Sequence, residues 1–171
     1  TFLVLTYQGV EDPRRRAFEA DAAKRGSRVR VIGPLRHSEV PSHLACADVM
    51  ISAMPPAYEL DVASPTETLE AMAAGVPVVG SASNFEHQVL LPLSGGGLSV
   101  PWDQQAFADA ISGLLQAPDR AMAMGESGRR WVVHHRTYEH LTEYLERIIA
   151  AAGSLEALAA LPHQPDREPA A

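Results

Sequence analysis

"SPTETLEAMAAGVPVVGS", residues 64–81, holds a helix start, a short apolar helix, a tight stop and a buried strand. Ser64, Pro65 and Glu67 stand in capping-box order, which predicts Ser64 at the N-cap, Pro65 at the first helical position and Glu67 at the third. The Ser64 hydroxyl then accepts from the Glu67 N–H, and the Glu67 carboxylate reaches back to the Ser64 N–H. Leu69, Ala71, Met72, Ala73 and Ala74 fill the helix over 65–74, and Gly75 ends it. "VPVVG" (76–80) has the unbroken apolar character of a strand buried on both faces.

The rhythm extends in both directions. Strands are expected at 2–7, 28–33, 48–53 and 76–80, with a short last one at 97–100. Helices are expected at 12–26, at 38–47 with Ser38 as a cap, and at 103–116 with Asp103 as a cap. Two more follow, in 118–136 and 137–152. The segments 54–63 and 81–96 read as loops, and "SGGGLS" (94–99) as a flexible turn. Strand and helix in alternation imply a Rossmann-like α/β fold, a parallel sheet with helices on both faces. Residues 1–152 are expected to form that domain, and the Pro-rich tail 153–171 to be disordered. Ligands of such sheets bind beyond the carboxyl ends of the strands.

At the head of helix 65–74 the backbone amides near Thr66 point toward the loop 54–63. A helix start in that place is a ready phosphate site. Glu70 lies one turn behind, about a sugar ring away. Two readings of it stand: a surface carboxylate, or an acceptor for ribose hydroxyls.

Composition narrows the alternatives. The 171 residues are 46 % hydrophobic, enough for a packed core, and carry a formal net charge of −7. That charge disfavours a nucleic-acid partner, because neutralising phosphates needs a clustered basic surface. No apolar run approaches a membrane span. The single cysteine, Cys46, fits a reducing compartment and is expected to be a small buried hydrophobe. His134, His135 and His140 lack a completing carboxylate or thiol, so no metal site is expected. His37 is either a base or phosphate contact or a solvated loop histidine.

"ADVMIS … ASPTETLEAMAAGVPVVGS" resembles the donor-binding half of GT-B-fold retaining glycosyltransferases of the large group-one family. That family carries an Ala-Asp before a strand, then a loop, then a Glu-x7-Glu motif running into "EAMA-G-PVV". "FLVLTYQG", "VRVIGPLRHSEVPSHLACAD" and "LSVPWDQQAFADAISGLL" resemble its flanking segments, so the likeness spans about residues 2–150. It implies that Glu70 binds the ribose of a nucleoside diphosphate sugar. It implies further that Ser64, Pro65 and Thr66 present amides to diphosphate and sugar, and that Gly33, Pro34 and Leu35 lie against the nucleobase. No cofactor and no metal are required.

The likeness also implies transfer, with retained configuration, to a hydroxyl of a glycan, lipid or small molecule. An amino-terminal acceptor domain, the fold's first strand and helix, and an Arg/Lys pair gripping the donor phosphates are expected before Thr1. The chain alone is then expected to be inactive. The expected location is cytoplasmic, or peripheral to the membrane in the full-length protein. One departure counts against catalysis: the first motif glutamate falls at Val62, with Glu59 and Asp61 nearby. A non-catalytic binding module built on the same fold is the alternative.

Overall fold

The computed structural model describes residues 2–5, 10–24, 28–154 and 156. The expected continuations of strand 2–7, the glycine stop at Gly26 and nearly all of the tail 153–171 lie outside these residues. The chain divides into two compact units, Thr1–His43 and Leu44–Ala171.

In the first unit β1 (Phe2–Leu5) pairs in parallel with β2 (Val29–Ile32), with α1 (Pro13–Lys24) between them in sequence. Pro13 opens α1, where its missing N–H costs nothing. Arg15 is the buried residue of that helix, and its Nη1 donates to the Gly33 carbonyl at 2.7 Å. Gly33 has φ 135°, a backbone that side-chain-bearing residues avoid. A 3-10 turn over His37–Glu39 follows. Ser38 therefore lies inside the turn rather than at a cap, and Arg36 opens it. α2 (Val40–Leu44) then stops after five residues, so Cys46 falls in the turn beyond it and is exposed. The expectation of a buried cysteine was wrong, because it assumed a helix running to residue 47.

In the second unit β3 (Met50–Ser52), β4 (Val78–Ser81) and β5 (Gly97–Val100) form a parallel sheet in the order β3-β4-β5. β4 is central and buried along its whole length, as its apolar run requires. Val78 and Val79 point to opposite faces, since strand side chains alternate. Val78 joins Ala71, Met72, Leu90, Leu91 and Trp131, whereas Val79 joins Leu114 and Ala121. Helices thus cover both faces: α4 (Thr66–Ala73), α5 (Phe85–Ser94) and α7 (Pro118–His135) on one, α6 (Gln104–Leu115) and the start of α7 on the other. Each fully buried Val or Leu in these clusters contributes roughly 1.5–3 kcal/mol. α8 (Tyr138–Ala151) follows α7, and the Thr137 hydroxyl caps it by accepting from the His140 N–H at 3.4 Å.

Two local expectations meet their physical reasons here, and one helix arises that was not expected. Asp103 caps α6, its carboxylate accepting from the Ala106 N–H at 2.9 Å. Gly75 ends α4 with φ 77°: its N–H reaches the Met72 carbonyl and the Val76 N–H reaches Ala71, both at 2.9 Å, a Schellman closure. α5 was not expected, and Pro92 stands in its last turn. It forms because Asn84 caps it and Gly95, at φ 62°, closes it.

The glycines of 94–99 are no loose turn. A Cβ at Gly97 would overlap the Val78 carbonyl oxygen, and one at Gly96 would press on Gly128 of α7. They let α7 and β4 approach closely.

Candidate nucleotide-sugar site

The carboxyl ends of β3 and β4 open onto one loop, residues 53–65, and onto the head of α4. Ser64 and Thr66 are exposed there, and Pro65 is buried between them. The capping box is not formed. Pro65, not Ser64, occupies the N-cap, and no side chain caps it. The Glu67 carboxylate instead accepts from the Ser52 hydroxyl at the end of β3, at 3.4 Å. The tertiary neighbour outcompetes the local N–H because the chain enters α4 one residue later than the motif predicts. The first amides of α4, at Thr66 and Glu67, precede any intrahelical acceptor. Their positive dipole end faces the loop.

Glu70 stands one turn along α4 and is partly buried. Ser64, Pro65, Thr66 and Glu70 are therefore brought together on one helix start. Gly33 and Leu35 belong to the other unit, just after β2. Exposed His37 lies in the 3-10 turn beside them.

Sequence reasoning missed the residues that hold this loop. The Ser81 hydroxyl donates to the Met54 carbonyl at 2.7 Å and accepts from the Met54 N–H at 2.9 Å. The Ser83 hydroxyl donates to the same carbonyl at 2.8 Å. Asn84, fully buried, donates from Nδ2 to Leu60 at 2.7 Å and to Ala63 at 2.8 Å. Between these anchors runs α3 (Tyr58–Asp61), a single turn where only loop was expected. The Asp61 carboxylate accepts from the Ala57 N–H at 3.3 Å, and Val62 projects outward, 72 % exposed. The only available signal was "SASN" after an apolar strand, two hydroxyls and an N-cap residue.

A cavity of about 320 Å³ adjoins the loop, lined by Val62, Ser64, Phe85, Glu86, Trp131 and Arg136 among others. Arg136 pairs with Glu86 at 3.5 Å and lies over the Trp131 ring, 5.7 Å from its centroid. Glu86 is thus engaged in an ion pair. Beneath the helices, His87 is buried completely, with Nε2 3.0 Å from the Thr68 hydroxyl and Nδ1 3.2 Å from the Ser81 carbonyl. Burial pushes its imidazole below the ordinary value, against the pull of the Ser81 carbonyl, Glu67 and Glu86.

The family model described as "Glycosyl transferases group 1" matches residues 3–117. The chain belongs to the group 1 glycosyl transferases. A Mycolicibacterium smegmatis GDP-mannose-dependent alpha-(1-6)-phosphatidylinositol monomannoside mannosyltransferase is 39 % identical over 99 residues, 56 % of this chain and 25 % of that protein. The Mycobacterium tuberculosis protein of the same name is 35 % identical over 117 residues, 66 % of this chain and 30 % of that one. Sucrose-phosphate synthase from Thermosynechococcus elongatus superimposes with a TM-score of 0.71 at 27 % identity, over 88 % of this chain and 38 % of that one. The glycosyltransferase WaaG, involved in lipopolysaccharide biosynthesis, gives a TM-score of 0.64 at 25 % identity, over 82 % of this chain and 36 % of that one. The chain therefore spans roughly a quarter to two-fifths of these proteins, and its fold is that of part of a GT-B glycosyltransferase. No helix among the described residues is long and apolar enough to cross a membrane.

Proposed function

We propose that this chain is the donor-binding half of a retaining glycosyltransferase and takes a GDP-linked sugar. The observation that carries the reading is the head of α4: free-facing first amides at the carboxyl ends of β3 and β4, with Glu70 partly buried one turn behind. The amides suit a diphosphate and the carboxylate suits two ribose hydroxyls. The guanine base is supported by the mannosyltransferase relatives, whose names specify GDP-mannose.

In the proposed transfer, the bond from the anomeric carbon to the diphosphate oxygen breaks. A bond from an acceptor oxygen to that carbon forms, and the acceptor proton is released. Negative charge grows on the departing diphosphate, where the positive end of the α4 dipole stabilises it. This chemistry asks for no cofactor and no metal from the chain. The acceptor, a glycan, lipid or small molecule, would meet the donor with the help of an amino-terminal domain. Val62, lacking a carboxylate, favours the second reading, a module that binds without transfer.

Calorimetry with GDP, UDP and ADP tests the donor reading. GDP should bind most tightly, and Glu70→Ala should weaken it by roughly ten- to a hundredfold, matching about 1.5–3 kcal/mol for charge-assisted hydrogen bonds. Equal binding by Glu70→Ala and the parent would remove Glu70 from the site.

A further inference from the structure

The loop 53–65 leads into the head of α4, where the donor is proposed to sit, and its single turn α3 and the Asp61–Ala57 bond shape its middle. Its ends are held from the β4–α5 junction, 21 to 29 residues later. At one end, Ser81 holds both the N–H and the carbonyl of Met54, and Ser83 donates to the same carbonyl. At the other, Asn84 grips Leu60 and Ala63.

Both donors of the Asn84 amide are used in this arrangement. Its two N–H groups serve the Leu60 and Ala63 carbonyls, and its Oδ1 accepts from the His87 N–H at 3.0 Å. A flipped amide would set its oxygen against two carbonyl oxygens, so one orientation alone satisfies the group. It is also fully buried, where a lost partner costs most. The two carbonyls it holds flank Asp61 and Val62.

We propose that Asn84 is a positioning residue of the donor site: it sets loop 57–64 in its receiving shape before the donor arrives, without touching the donor. Ser81 and Ser83 fix the other end of the same loop. The inference rests on the donor reading above. Its physical content is population: a loop in the receiving shape one-tenth of the time binds about tenfold more weakly.

The test is Asn84→Ser in the 171-residue chain, with GDP as probe. Serine keeps an acceptor for the His87 N–H, so α5 keeps its cap, but it cannot reach both loop carbonyls. Calorimetry should give about a tenfold loss of GDP affinity. Hydrogen exchange should speed up at the amides of 57–63 and not in α5, and saturating GDP should restore their protection. A merely structural role would not produce that ligand-dependent recovery. Ser83→Ala, a milder release of the other end, should cost about two- to threefold and decides the matter should Asn84→Ser not fold. Parent-like affinity in the folded variants overturns the clamp while the donor reading stands. Failure of the parent to bind GDP overturns the donor reading and the clamp with it.

Discussion

The Nε2 of His87 lies 3.0 Å from the Oγ1 of Thr68, joining α5 to α4 through a fully buried ring. The other ring nitrogen faces the Ser81 carbonyl, which can only accept, so Nδ1 carries the hydrogen and Nε2 accepts from Thr68. Protonation would turn Nε2 into a donor, force the Thr68 hydroxyl to rotate away from it, and place a charge in a site shielded from water.

The first prediction follows from that ring. Its folded value is depressed below the ordinary 6.5, so the unfolded chain takes up the proton first. The stability it supplies is therefore complete above about pH 6.5 and drains as pH falls toward the folded value, at up to about 1.4 kcal/mol per pH unit. Urea midpoints measured from about pH 8 to pH 5 should fall in the parent, and the fall should be shallower in His87→Gln. The exposed carboxylates of Asp12, Glu39 and Glu139, also held below their ordinary values, act at lower pH. Their contribution is lost only as pH drops through the carboxylate range. A parent whose midpoint is flat over the histidine range would show that His87 is not buried neutral.

A second prediction concerns Gly125. It lies where α7 crosses the turn after α4, and any Cβ there would overlap the Gly75 carbonyl oxygen. Helix propensity alone says that Gly125→Ala gains about 1 kcal/mol. Overpacking against backbone costs roughly 1–3 kcal/mol or more, because neither partner has a flexible end to move. The variant should be destabilised in urea. Gly113, on α6 with nothing near its Cβ position, is the control: Gly113→Ala should stabilise. Matching gains at both positions would show that α7 does not approach Gly75 this closely.

The caps give a third. Asp103→Ala removes a 2.9 Å bond to the first turn of α6 and should cost about 1 kcal/mol in urea unfolding. Glu67→Ala should change stability by no more than about 0.5 kcal/mol, since its side chain is exposed and its bond to Ser52 is long. Were Glu67→Ala to cost as much as Asp103→Ala, the capping box absent from this structure would form in solution.

How much could be read in advance depended on how far apart the deciding residues lay. The unbroken apolar run around Val78 and Val79, the cap at Asp103 and the glycine stop at Gly75 act within a few residues of themselves. The sequence therefore determined them, and with them the parallel α/β architecture and its family. The "SPTE" box failed although it too is local. Ser52, 15 residues earlier, offers Glu67 a partner that no spacing rule contains. α5, read as loop, carries its signals in Asn84 at its start and Gly95 at its end, with Pro92 in its last turn.

What only the tertiary structure decided is which side chains steady the loop of the proposed site. Asn84, Ser81 and Ser83 look like ordinary turn residues in the sequence, and their partners lie 21 to 29 residues away. The tight glycines Gly97 and Gly125 owe their necessity to carbonyls brought close by the fold. Propensity and periodicity express the chain's preferences along itself. A buried hydrogen bond between distant segments exists only after apolar burial has brought them together and removed the competing water.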